Sequence, residues 1–316
     1  MGHDIHHRRA GTGLVLARDD VAAAGADYAD RLSRPFATIG DSCDRPLAAA
    51  AVADARGSVL VMLPEKEFDF ATANQLMRDS VALRLPVGVV PLPADPDAAT
   101  ETVARVVTRW RAPEPAGSRL ALYCDFQDAA PAQCPWAFGW KDSDAFLDRL
   151  RSGVQAAVLH SHGNGADFRV GKHVLCVQAG TLRPPTGRRG GRFLPCQGGG
   201  DCRLDHHTEF VAFHGANAVR ARLVVMLSCS AYQPYDGLLE PQFQFAHAMV
   251  SAGGHTAGLV ASTRINRQPP QLGLAVARLL DAGASLGEIA MRINLLSPQS
   301  PSYLCVGDPD LSLVGP

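Results

Sequence analysis

VVMLSCSAY, residues 224–232, is an apolar run that stops abruptly at Cys229. A second run, AAVLHSHGNG at 156–165, stops as abruptly on a His-Gly pair, His162 and Gly163. Both read as buried strands of a parallel sheet, since short continuous apolar runs bounded by turn-forming residues have that pattern. In open α/β sheets ligands bind outside the carboxyl ends of the strands. His162-Gly163 and Cys229 would each occupy such an end, and if the two strands are neighbours an imidazole meets a thiol there.

The flanking sequence supports the same architecture. TGLVLA (12–17), SVLVMLP (58–64) and VGVVPLP (87–93) read as strands. VAAAGADYADRL (21–32), FATANQLMRDSVALRL (70–85) and ADPDAATETVARVVTRW (94–110) carry helical spacing. Such alternation argues for a parallel sheet covered by helices. RAPEPAGS (111–118) is the best linker, with two Pro, a Gly and a Ser and no large apolar residue. It divides an N-terminal α/β subdomain (1–115) from a second unit (116–316).

In the second unit RLALYCDF (119–126), VQAAVLH (154–160), DFRVGKHVLCV (167–177), RLVVMLSC (222–229), TAGLVAS (256–262) and YLCVGD (303–308) read as strands. Helices are expected at 142–153, 209–221, 241–254 and near 271–283, with a further one starting at Ser285. Residues 178–208, rich in Gly, Pro and Arg, form a flexible insertion in this reading.

Composition narrows the function. The 316 residues are 47% hydrophobic with a formal net charge of −1, so no electrostatic footprint for nucleic acid is visible. MGHDIHHRRA is charged and His-rich with no apolar stretch after it, so no secretory signal is expected. No apolar run approaches the roughly 18–20 residues that span a bilayer. The eight cysteines then read as thiols in a cytoplasmic protein.

The chemistry follows from the two strand ends. The thiolate is the attacking form of cysteine, and a neighbouring imidazole both favours it and can protonate a leaving amine. A glycine after the histidine lets backbone approach a substrate carbonyl. The N–H groups of Gly163 and Cys229 would form an oxyanion hole.

VLHSHGNG followed by VVMLSCSAY resembles the histidine and cysteine blocks of the caspase-like (clan CD) cysteine peptidases. The region after the cysteine is similar to the CHAT and gingipain-like branches. There a helix with an AGA-type turn leads into a strand, as FAHAMVSAGGHTAGLVAS does here. A helix pair and a final strand closing on Gly-Asp-Pro follow, as in YLCVGDPDLSLV with Gly307, Asp308 and Pro309. The resemblance covers residues 117–316; residues 10–110 are loosely similar to the auxiliary subdomain of gingipain-type proteins. It implies a caspase-like, parallel-dominated sheet flanked by helices and preceded by a smaller α/β subdomain. It also implies Cys229 as nucleophile, His162 as general base and acid, Gly163 as an oxyanion donor, and a peptide or protein as substrate. Two alternatives stay open: an inactive caspase-like interaction module, and an acyl-transfer or amide-forming enzyme using the same dyad.

Other motifs carry competing readings. Asp167, Asp236, Glu240 and Arg264 are the charges that could select the residue before the cut. GASLG (283–287) fits the serine-hydrolase elbow, but helical periodicity precedes it, and Ser285 with Glu288 reads as a capping box. GADFRVGK (165–172) has one residue too many for a phosphate loop, with His173 where Ser or Thr is needed. No cofactor is expected. A structural zinc at Cys176, Cys196 and Cys202, with His206 or His207, remains open because zinc favours such ligand sets. Arg188 and Arg189 offer a cleavable activation site.

Overall fold

The computed structural model describes residues 13–40, 47, 57–112, 117–126, 134–177, 212–237, 239, 241–251, 253–265 and 269–313. In chain order come β1 (Leu14–Arg18), α1 (Ala22–Arg31), β2 (Phe36–Ile39), β3 (Val59–Pro64), α2 (Phe70–Leu83), β4 (Val87–Leu92) and α3 (Pro96–Arg111). After the proposed linker come β5 (Ser118–Cys124), β6 (Ala137–Phe138), α4 (Ser143–Ser152), β7 (Val154–His160), β8 (Asp167–Val170), β9 (His173–Cys176) and β10 (Ala212–His214). The last elements are β11 (Ala221–Leu227), α5 (Phe245–Val250), β12 (Gly258–Ser262), α6 (Gln271–Asp281), α7 (Leu286–Leu295) and β13 (Tyr303–Val306).

Ten strands form one sheet in the order β2-β1-β3-β4-β13-β12-β11-β7-β5-β6. Every pairing in it is parallel except β12 with β13. The protein is therefore α/β with a mostly parallel central sheet flanked by helices. That is consistent with the caspase-like architecture expected. β4 pairs with β13 through Gly88↔Cys305 and Val89↔Val306, so one sheet runs through both parts of the chain.

The single antiparallel pairing reverses strand direction in mid-sheet. The carboxyl ends of β5, β7, β11 and β12 open on one edge, and those of β1, β3, β4 and β13 on the other. The molecule thus has two crevice edges, and only the first carries His162 and Cys229.

Both faces of the sheet are covered, which is why β3 and β11 read as unbroken apolar runs. On one face α2, α4 and α5 pack through residues such as Leu76, Phe146 and Phe245. On the other, α6 and α7 pack through Val276 and Ile289, and α1 and α3 through Tyr28 and Val103. No described helix is long and apolar enough to cross a membrane.

Three local expectations need correction. Residues 167–177 are not one strand but the hairpin β8–β9, turned at Gly171, whose φ of 56° suits glycine. Within the helix expected at 209–221 the structure has β10 at 212–214, paired parallel with β9, and a 3₁₀ turn at 216–218. Gly215 adopts extended backbone between them and interrupts any helix. The helix expected at 241–254 is a 3₁₀ turn at 241–243 followed by the six residues of α5, and Ser251 is extended immediately after it. Two strands went unread, β2 and the two-residue β6.

Candidate active site

β7 and β11 are neighbours, parallel and in register from Ala221↔Val154 to Leu227↔His160. Just past the paired residues, Ser161 N–H donates to the Leu227 carbonyl at 3.3 Å. Cys229 and His162 each lie two residues past the last pair, at the carboxyl end of their strands, where adjacent paired strands lie about 4.8 Å apart. β5 ends on the same level, since Cys124 pairs with His160. Phe126, two residues on, presents its ring edgewise to His162 at 5.3 Å between centroids. His162 is exposed and Cys229 half-buried, so both reach solvent.

The loop after His162 is tightly held. Arg169 N–H donates to the His162 carbonyl at 2.9 Å and Asn164 N–H to the Asp167 carbonyl at 3.0 Å. Asn164 Oδ1 accepts from the N–H groups of Ala166 and Asp167 at 2.8 and 3.1 Å. Gly163 faces Phe168 as an antiparallel bridge residue. The flanking bonds make this a non-hydrogen-bonded pair, so the Gly163 N–H turns away from β8. A Cβ on Gly163 would lie 2.9 Å from the Asp167 carbonyl, 3.1 Å from the Phe168 ring and 3.3 Å from Ser228 Cβ. Packing alone therefore demands a glycine here, in addition to any substrate approach.

The turn carrying Cys229 is braced from β12. Ser230 N–H donates to the Arg264 carbonyl at 2.8 Å and Tyr232 N–H to the Ser262 carbonyl at 3.0 Å. Ser230 has φ of 45°, a left-handed conformation that costs a non-glycine residue about 1–2 kcal/mol. Backbone held against its preference in this way clusters at functional sites.

A buried Cys–His contact lies at the ends of β5 and β7. Cys124 Sγ is 3.7 Å from His160 Nδ1, and both residues are buried. Burial pushes the Cys124 thiol up and the His160 imidazole down to about 4, so each holds its neutral form. Phe126 also packs edgewise on His160, at 5.0 Å. His162 and Cys229 reach solvent, whereas His160 and Cys124 do not.

The other sequence candidates separate. Asp167 belongs to the Asn164 turn. Asp236 accepts the Phe70 N–H at 2.8 Å and so closes the first turn of α2. Arg264 points its guanidinium at Asn74 Oδ1, 2.6 Å away, and at Ser300. Ser285 and Glu288 form the expected reciprocal capping box of α7. Cys176 is buried in β9. Glu240 and all of residues 178–211, among them Arg188, Arg189, Cys196, Cys202, His206 and His207, lie outside the described residues. Among the described residues no three His, Cys, Asp or Glu side chains cluster closely enough to hold a metal ion. None of the five described cysteines forms a disulfide.

Sequence reading missed Asp125 and Phe126, because it carried the β5 strand through 126. The strand stops at Cys124, and Asp125 turns inward to accept from Tyr123 Oη at 2.5 Å and to pair with Arg169 at 3.8 Å. The signal was present: RLALYCDF also stops at a charged residue, as a third strand end. A scan against models of known protein families gives no match, and a search of curated proteins gives none either.

Proposed function

We propose that the protein is a cysteine peptidase acting on a peptide or protein substrate, with Cys229 as nucleophile and His162 as its base and acid. The observation that supports this reading is the parallel pairing of β7 and β11, whose carboxyl ends lead within two residues to an exposed His162 and a half-buried Cys229 at one sheet edge. In this reading His162 takes the thiol proton as Sγ attacks the scissile carbonyl. The oxyanion is met by the backbone N–H groups of Gly163 and Cys229. The tetrahedral intermediate collapses as His162 gives the proton to the leaving amine, which leaves a thioester on Cys229. Water, deprotonated by His162, then hydrolyses the thioester and releases the acid. Phe126 limits the orientations open to the imidazole, and the braced turn fixes the sulfur. We place the protein in the cytoplasm, where thiols persist.

Cys229→Ala tests this. Hydrolysis of a peptide library by the pure protein should fall by about 10³-fold or more, since the thiolate carries the covalent step. Hydrolysis that survives the change unaltered would remove Cys229 from the chemistry.

A further inference from the structure

The second crevice edge, where β3, β4 and β13 end, holds a cavity of about 160 Å³. That is on the order of the ~150 Å³ apolar cavity known to hold one benzene. Its apolar walls include Phe68, Val90, Val106, Tyr232 and Val306. Its polar groups are unevenly charged. Arg105 and Arg109 come from α3 and His247 from α5, against one carboxyl, that of Glu65.

The basic groups crowd one another. Arg109 spends its guanidinium on backbone carbonyls of Val250, Ser251 and Gly254, at 2.6, 2.6 and 2.7 Å. Those are neutral acceptors. Burial and then the charge of Arg105 lower the pKa of both Arg109 and His247. Burial raises that of Glu65, which biases it toward the uncharged acid. Arg105 itself donates to Thr102 Oγ1 at 3.0 Å and lies 3.9 Å from the well-exposed Glu101 carboxylate. Its buried Nε has no hydrogen-bond partner among the described residues. An apolar chamber with an excess of positive charge at its wall fits a molecule that is greasy at one end and anionic at the other.

We propose that this cavity binds a small carboxylate with an apolar body about the size of a benzene ring. Apolar atoms would fill the space between Phe68, Val106 and Tyr232, and the carboxylate would face Arg105. The site is independent of the peptidase reading, because it lies on the opposite edge of the sheet and uses none of His162, Gly163 or Cys229. It nevertheless borders the same chain segment, since Tyr232 and Gln233 line it. Gln244 fixes that segment by accepting the Gln233 N–H and donating to the Gln233 carbonyl, both at 2.9 Å.

Calorimetric titration of the full chain with benzoate, benzyl alcohol and benzylamine tests the proposal. Benzoate should bind, benzyl alcohol about tenfold more weakly and benzylamine more weakly still, as loss of a charged hydrogen bond requires. Arg105→Met should weaken benzoate about tenfold and leave benzyl alcohol within about twofold. Val106→Trp, which fills the chamber, should abolish binding of both, with circular dichroism confirming that each variant is folded. Arg105 reaches the surface of α3, so its variant tests the proposal even if Val106→Trp fails to fold. Equal binding of benzoate and benzylamine, benzoate binding untouched by Arg105→Met, or no benzoate binding to the folded protein would each overturn it.

Discussion

His160 and His162 stand two residues apart and meet opposite environments. His160 is fully buried beneath Gly273 of α6, where a Cβ would lie only 2.8 Å from its Nδ1. His162 lies beyond the strand end, in solvent. The spacing of two is plain in the sequence. Which histidine stays dry depends on where β7 stops and on Gly273, which the sequence does not locate. The buried ring should make stability depend on pH. Its pKa is pushed down to about 4 in the folded protein, against 6.5 ordinarily. The folded state thus binds fewer protons between those values. Its stabilising contribution is complete above about pH 6.5 and is lost as pH falls toward 4, by about 2 kcal/mol between pH 7 and 5. Urea unfolding of wild type and His160→Leu at those two pH values should show a drop smaller by that amount in the variant. An identical drop in both would mean that His160 is not held neutral.

At the scale of elements, β7 and β11 were legible because they are covered on both faces and bounded by polar residues. Their ends fell within two residues of the expected positions. The stretches read wrongly are those whose partners lie far along the chain. β10 exists because β9 offers its backbone edge, and no periodicity over three residues can announce that. The β8–β9 hairpin hides in a strand-like stretch whose turn signal is Gly171-Lys172. The cap of α7 was readable because a capping box is a local exchange of hydrogen bonds. Ser285 Oγ accepts the Glu288 N–H at 3.3 Å and Glu288 accepts the Ser285 N–H at 3.1 Å. Ser285→Ala should lower stability by about 1 kcal/mol in thermal or urea unfolding. Peptide hydrolysis should stay at the wild-type rate; a loss of turnover with the fold intact would reopen the serine-elbow reading of GASLG.

At the scale of the whole molecule, one sheet brings together residues distant in sequence. Its join is close-packed. A Cβ on Gly88 would collide with the Gly307 carbonyl and the Pro309 ring. Arg34, from the N-terminal part, lies 3.0 Å from both Asp308 and Asp310, and Tyr28 Oη donates to Asp308. The Gly-Asp-Pro motif near the C terminus is therefore tied to α1 and the residues after it. Strand order and the direction reversal at β12–β13 were beyond the sequence, because both are set by long-range pairing. The proposed chemistry depends on that assembly, since it is the sheet that brings the ends of β7 and β11, and with them His162 and Cys229, to one edge. The most direct measurement is the rate of iodoacetamide alkylation at Cys229, followed residue by residue by mass spectrometry. It should be compared for the native protein, native His162→Ala and the urea-unfolded chain. The expected result is that native Cys229 reacts faster than buried Cys124, Cys134 and Cys305, that His162→Ala slows it by about tenfold, and that unfolding erases the effect of the substitution. Equal native rates with and without the His162 imidazole would contradict the pairing on which the proposed activity stands.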